Sequence, residues 1–213
     1  GNGVLTLEIS STLEPGKYDL VIDFSNQFNK QAVGLYRMEA GGAGYAFTQF
    51  EPTDARKAFP CFDEPVFKIP FQMTITAQEK DEVVTNTPLV SESRDGGWKT
   101  LKFAISKPLP TYLLAIAVGP MDSIEIPGIP VPGRVYTVAG MSALAAYSSS
   151  MVAPILDAQQ RYFGMAYPYE KLDFIAIPEY WPGAMEHPGA ITFKDNIILF
   201  DKASVSAEQH RIA

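Results

Sequence analysis

Up to about residue 138 the chain alternates apolar and polar residues, the period of a strand with one buried face. Residues 4–9 (Val-Leu-Thr-Leu-Glu-Ile) and 18–24 (Tyr-Asp-Leu-Val-Ile-Asp-Phe) read as strands on either side of the turn signal Glu14-Pro15-Gly16-Lys17. Residues 33–37 predict a further short strand, and Gly41-Gly42-Ala43-Gly44 a flexible connector. Over residues 66–77 the alternation is regular, with Phe67, Ile69, Phe71, Met73 and Ile75 on one face and Lys68, Gln72 and Thr74 opposite. Residues 98–105, 112–118 and 134–138 continue the pattern, and Asp95-Gly96-Gly97 is a hairpin-type turn. Pro127, Pro130 and Pro132 cluster within residues 126–133 and mark a domain edge. After Gly140 the period becomes helical, through Met141, Leu144, Met151, Val152, Ile155, Leu156, Tyr162 and Phe163. Pro154 lies inside this stretch and is expected to kink or split the helix. Residues 172–177 and 197–200 predict strands. Ser206-Ala207-Glu208-Gln209 fits a capping box, so a helix is expected to start there, about two turns before the chain stops at Ala213.

Composition narrows the classes. At 213 residues the chain has room for one large domain or two small ones. Its 46% apolar content is that of globular material. A net charge of −7 without a basic stripe excludes a nucleic-acid partner and leaves room for a cationic one, such as a peptide's ammonium group. Cys61 is the one cysteine, so no disulfide forms within the chain, which does not fix the compartment. No run of about 18 apolar residues suggests a membrane span. No signal opens the chain, whose first residues Gly1-Asn2-Gly3 lack a Met and read as a tag scar or a cut end. Localisation therefore stays unknown.

Two segments carry chemistry. One is Thr48-Gln49-Phe50-Glu51-Pro52-Thr53-Asp54-Ala55-Arg56-Lys57-Ala58-Phe59-Pro60-Cys61-Phe62-Asp63-Glu64-Pro65, and the other is Pro182-Gly183-Ala184-Met185-Glu186-His187-Pro188-Gly189-Ala190-Ile191. Together they resemble the aminopeptidase N family of zinc exopeptidases. That family pairs a Gln-bearing segment, Ala-Arg and Phe-Pro-Cys-Phe-Asp-Glu-Pro with a later Gly-x-Met-Glu-Asn motif. Tyr162-Phe163-Gly164, Tyr167-Pro168-Tyr169 and Leu172-Asp173-Phe174 add to the likeness, which runs from roughly residue 18 to the end. His187 departs from it, standing where the family has Asn. No His-Glu-x-x-His occurs, and His187 and His210 are the only histidines.

The resemblance implies a fold and a site. The fold is a mainly β N-terminal part, a saddle-like β-sandwich or sheet domain, followed by the α+β start of a thermolysin-like catalytic domain. Residues 1–133 would be the later part of the first domain. Residues 134–213 would be the first part of the second, ending before the zinc motif. Glu186 would bind the free α-ammonium of a peptide, assisted by Gln49 and Glu51, since carboxylates are charge-assisted acceptors for its three donors. The backbone of Gly183, Ala184 and Met185 would pair with the substrate as an added strand does. His187 and Tyr180 are further candidates, the first as a substitute donor and acceptor, the second as a pocket lining or a core residue. Zinc is expected for the full-length parent. No catalytic or metal-ligating residue is assigned in this chain, which alone is expected to be inactive.

Other readings stay open beside this one. Glu186 alone could be an ordinary strand-end carboxylate, and Gln49 and Glu51 a solvated edge. Arg56, Asp63 and Glu64 read as a charge cluster that fixes a loop, and Cys61 as a packed thiol. His187 reads as a satisfied structural histidine, or as a group whose titration near pH 6.5 adds pH sensitivity. The alternative function is a catalytically silent peptide- or protein-binding scaffold of the same family. A missing remainder of the catalytic domain would leave an apolar face open to association.

Overall fold

The computed structural model describes residues 3–201, so the helix expected from Ser206 and His210 lie outside the described residues. The architecture is sheets first and helix later, as the resemblance implies. A four-stranded antiparallel sheet has the order β1-β2-β7-β4, from Gly34–Ala40, Ala43–Gln49, Ile116–Gly119 and Glu82–Thr85. A three-stranded sheet, β3-β6-β5, comprises Thr74–Gln78, Trp98–Phe103 and Leu89–Asp95. The third sheet has the order β11-β12-β10-β9-β8. Its strands are Ala184–Met185, Ala190–Lys194, Asp173–Ile177, Arg134–Val138 and Met121–Glu125.

Strands β9, β10 and β12 run parallel, with antiparallel strands at both edges. The connection from β9 to β10 passes through helix α1, Ala146–Phe163, which ends at Gly164. Val152 and Leu156 of α1 pack on Val135, Leu172 and Ala176. A second core joins the first and third sheets. It contains Tyr36, Tyr45, Phe47, Val84, Ala115 and Ala117 from one side and Ile175, Ile177, Tyr180, Met185 and Ala190 from the other.

Many predicted elements stand where the pattern puts them, including β9 at residues 134–138. Gly96 and Gly97, with φ of 56° and 84°, make the two-residue turn between β5 and β6. Gly41-Gly42 is no loose connector: it closes the β1–β2 hairpin, in which Ala40 pairs with Ala43. The strands expected over residues 4–9 and 18–24 do not form. Alternation defines a face, but a strand also needs a ladder partner, and Val21 and Leu20 stand 83% and 67% exposed.

Of residues 66–77 only 74–77 become regular strand, within β3. Before it the chain is tied at single points, Phe71 N–H to Ser106 Oγ at 2.9 Å and Ile69 N–H to the Leu109 carbonyl at 3.2 Å. Pro154 does not split α1, which stays one helix with Val152 and Leu156 buried on either side. The strand expected at 197–200 is replaced by a short helix, α2, Asp195–Ile198. That end is pinned to the start of α1, through Ser148 Oγ–H to the Ile198 carbonyl at 2.7 Å and Phe200 N–H to the Leu144 carbonyl at 3.1 Å. The sequence pattern did not single out β12. The proline cluster forms the loop between β8 and β9, closed by Ile126 N–H to the Gly133 carbonyl at 2.9 Å, and one sheet continues through it.

No helix among the described residues is long and apolar enough to cross a membrane. Ile177 is fully buried in the core shared by the two larger sheets. Ile177→Ala is expected to lower the unfolding free energy by about 2–5 kcal/mol. Val21→Ala, at an exposed position, should change it by less than about 0.5 kcal/mol. Urea titration of both variants measures the contrast.

Candidate functional site

The two motif segments meet at the seam between the four- and five-stranded sheets. Gln49 is the last residue of β2 and is 1% exposed. It stays there because its neighbours are locked: Phe50 is fully buried against Phe59, and Thr48 Oγ1 accepts the Ile116 N–H at 2.9 Å. The turn that follows is fixed by the buried Asp63. Its Oδ2 accepts both the backbone N–H and Nε–H of Arg56 at 2.9 Å, and its Oδ1 accepts Thr111 Oγ1–H at 2.6 Å. Arg56 and Asp63 thus hold a loop, as expected, while Glu64 remains exposed. Cys61 is half-buried beside them, and burial pushes its thiol up to about 11, so it is a packed thiol at neutral pH.

Opposite Gln49 lies Met185, in the edge strand β11, where Ala184 pairs with Phe193 and Met185 with Thr192 of β12. Gly183 accepts the Lys194 N–H through its carbonyl at 2.6 Å and so starts the strand. Among the described residues no strand covers the other edge of β11. The Met185 side chain turns into the shared core, where its Sδ receives Gln49 Nε2 at 3.9 Å. Glu186 follows at once and is exposed, as is Glu51.

Tyr180 connects these parts. It is fully buried, so it belongs to the core and not to a pocket surface. Its hydroxyl donates to Gln49 Oε1 and accepts Thr192 Oγ1–H at 3.2 Å. Burial pushes the phenol up to about 12, helped by the negative charges of Glu51 and Glu186, which both bear on it. It is therefore a neutral donor throughout the physiological range. Tyr36 lies in the same core: burial raises its pKa, an ionised Tyr180 would add to this, and its hydroxyl has no hydrogen-bond partner among the described residues. Trp181, by contrast, is 67% exposed and ties to the Ala32 carbonyl through Nε1–H at 2.9 Å.

His187 is fully buried, and among the described residues neither ring nitrogen makes a hydrogen bond. The expectation of a satisfied histidine is therefore not met. Burial lowers its pKa to about 4, against the smaller opposing effects of the Leu113 carbonyl and Glu186, which removes it from titration near pH 6.5. Behind it, Lys171 Nζ binds Asp173 Oδ2 at 2.6 Å and the Gly189 carbonyl at 3.0 Å. Burial lowers the Lys171 pKa, and Asp173 opposes that shift.

The segments 48–65 and 182–191 thus bring Gln49, Glu51, Met185 and Glu186 to one place. Two members of the arrangement were not singled out from the sequence. Thr192 sits between Ile191 and Phe193, where only strand alternation would have marked it, and Asn86, whose side-chain amide bonds the Leu113 and Pro188 carbonyls and the Ala115 N–H, carries no motif. The described residues contain no group of three or more His, Cys, Asp and Glu side chains placed to hold a metal. They do not fit a zinc site.

Comparison with known proteins agrees with the motifs. Residues 2–113 match the model of the peptidase M1 N-terminal domain and residues 147–213 that of the peptidase family M1 domain. The chain belongs to the peptidase M1 family, to which the aminopeptidase N group belongs. It is 37% identical to aminopeptidase M1-C of Oryza sativa subsp. japonica over 211 residues, which is 96% of this chain and 24% of that protein. It is 36% identical to the glutamyl aminopeptidase of Bos taurus over 220 residues, 98% of this chain and 23% of that protein. Against the puromycin-sensitive aminopeptidase of Caenorhabditis elegans it is 35% identical over 216 residues, 97% and 23% respectively. The chain therefore spans about a quarter of the length of these relatives.

The buried His187 gives a pH dependence of definite sign. Its folded pKa, about 4, lies below the ordinary 6.5, so the unfolded chain takes up the proton first on acidification. Its contribution to stability is whole above pH 6.5 and is lost between pH 6.5 and about 4, roughly 1.4 kcal/mol per pH unit. Denaturant unfolding across this range is expected to show a steeper acid loss for the wild type than for His187→Asn. Parallel curves would contradict the burial of the ring.

Proposed function

We propose that this chain supplies the substrate-amine recognition of a zinc aminopeptidase, an enzyme that hydrolyses the N-terminal peptide bond of peptides. The observation that carries the reading is the arrangement at Tyr180. One hydroxyl holds the Gln49 amide oxygen and feels the charges of both Glu51 and Glu186. An α-ammonium offers three donors and one positive charge, and two carboxylates with an amide oxygen are acceptors of matching number and sign. The Gln49 oxygen keeps a second lone pair after accepting from Tyr180.

The open edge of β11 supports the rest. Its backbone from Gly183 to Met185 leads directly to Glu186, so an extended peptide laid along it would bring its N-terminus to the carboxylates. Fixing the amine at one end of such a track limits reaction to the first peptide bond, and fixed position also contributes to rate. The partner is accordingly a peptide with a free N-terminus. In this reading zinc and the hydrolytic step belong to the whole protein, and residues 1–133 are the later part of its N-terminal domain; membership of the peptidase M1 family supports it. A catalytically silent scaffold would show the same amine recognition without hydrolysis.

Isothermal titration tests the reading with a dipeptide and its N-acetylated form. The free amine is expected to bind about 10–100-fold more tightly, the value of a charge-assisted contact. Glu186→Gln should remove most of that difference. The preference should also decline above about pH 8, where the α-amine loses its proton. Equal affinities for the two peptides in the wild-type chain would end the proposal.

A further inference from the structure

Asn86 follows β4 at the outer edge of the four-stranded sheet and is 6% exposed. Its side-chain amide makes three hydrogen bonds to backbone. Nδ2–H donates to the Leu113 carbonyl at 2.9 Å and to the Pro188 carbonyl at 3.0 Å, and Oδ1 accepts the Ala115 N–H at 2.8 Å. Two chain segments are thereby held by one planar group. Residues 113–115 lead into β7, the strand paired with the β2 that carries Gln49. Pro188 lies two residues beyond Glu186.

The grip is tight on both sides. Gly189 has φ of 74°, and a Cβ there would stand 2.2 Å from the Asn86 carbonyl oxygen. From the opposite direction Lys171 Nζ and the Asp173 N–H each donate to the Gly189 carbonyl at 3.0 Å. Glu186 and His187 therefore span a short turn between β11 and a fixed point. His187 N–H to the Met185 carbonyl at 3.0 Å and Ala190 N–H to the His187 carbonyl at 3.1 Å close that turn.

From this geometry we propose that Asn86 is a positioning residue for amine recognition. It sets the place of Glu186, on one sheet, relative to Gln49, on the other. The inference rests on the function proposed above. The reason is directional. Besides the Tyr180–Gln49 bond and the Ala139 N–H to Tyr45 hydroxyl bond, the two sheets meet mainly through apolar contacts, which favour burial but tolerate sliding. Hydrogen bonds to a buried amide admit one distance and one angle. Asparagine suits the place because it has two donors for two carbonyls and an acceptor for one N–H.

The test compares amine preference, the affinity for the free dipeptide divided by that for its N-acetylated form, in wild type and Asn86→Asp. Aspartate keeps the shape and the acceptor but turns carboxylate oxygen toward two carbonyls. The preference is expected to fall at least tenfold, with the affinity for the acetylated peptide little changed. A merely structural role would lower the fraction of folded chain and leave the preference of the folded fraction intact. Asn86→Ser retains one donor and adds no charge, and it carries the test where Asn86→Asp fails to fold; a preference reduced severalfold is expected. Lys107→Ala removes another tie between distant segments, Nζ–H to the Pro168 carbonyl at 2.5 Å, and should leave the preference unchanged. A wild-type preference near one would sink the amine-recognition reading and this inference with it. A strong wild-type preference that survives in the Asn86 variants would overturn the positioning role alone.

Discussion

The rest of the structure depends on the apolar joint between the four-stranded and five-stranded sheets. Tyr36, Tyr45 and Phe47 on one side and Ile175, Ile177 and Met185 on the other form one buried cluster. Neither motif segment makes a site by itself. Gln49 ends a strand of the first sheet and Glu186 follows a strand of the second, so they share a site only while these sheets stay packed. Hydrophobic burial supplies the attraction but little registration. The buried hydrogen bond from Tyr180 to Gln49 crosses the same joint, while Thr192 donates to the same hydroxyl from the five-stranded sheet and fixes its direction. A misaligned joint would leave these groups unpaired in an apolar interior, which costs more than the bonds gain when made.

The motifs were more legible in the sequence than the strands around them. Short motifs fix local chemistry, and the segments 48–65 and 182–191 do come together. Alternation fixes only which face of a strand is apolar. It marked β9 to the residue, where β8 and β10 lie on either side. It misled at residues 4–9 and 18–24, whose pattern is as regular but which form no strand. Residues 197–200 were misread for a different reason. A short run of Ile, Leu and Phe fits a strand or a buried helical turn equally well. Tertiary pinning to the start of α1 decided for the turn.

The same division runs through the site. Glu51 and Glu186 were visible because motif and charge coincide. Tyr180 was visible as an aromatic residue beside the motif, but not as the holder of Gln49. Thr192 and Asn86 were not visible at all. Each is a single polar residue whose partners are more than ten positions away, and Asn86 reaches backbone atoms, which leave no trace in residue identity. His187 was marked by its departure from the family pattern. Its complete burial, which cancels its expected titration near neutrality, comes only from packing.

Charge is distributed by depth. Glu51 and Glu186 are exposed, where solvent and salt screen the repulsion between neighbouring carboxylates. The layer behind them is polar yet uncharged at neutral pH: the Gln49 amide, the Thr192 hydroxyl, a Tyr180 phenol pushed up to about 12 and a His187 imidazole brought down to about 4. Beneath the turn the buried Lys171 is matched by the buried Asp173 at 2.6 Å. The cationic ligand proposed above would thus meet negative charge at the surface and neutral acceptors below it. Among the described residues the buried Lys171, Asp63 and Asp173 all have partners, so none of them has to stay ionised alone. The negative field at the mouth of β11 is therefore held by two groups that solvent stabilises, while their placement is held by groups whose charge does not vary with physiological pH.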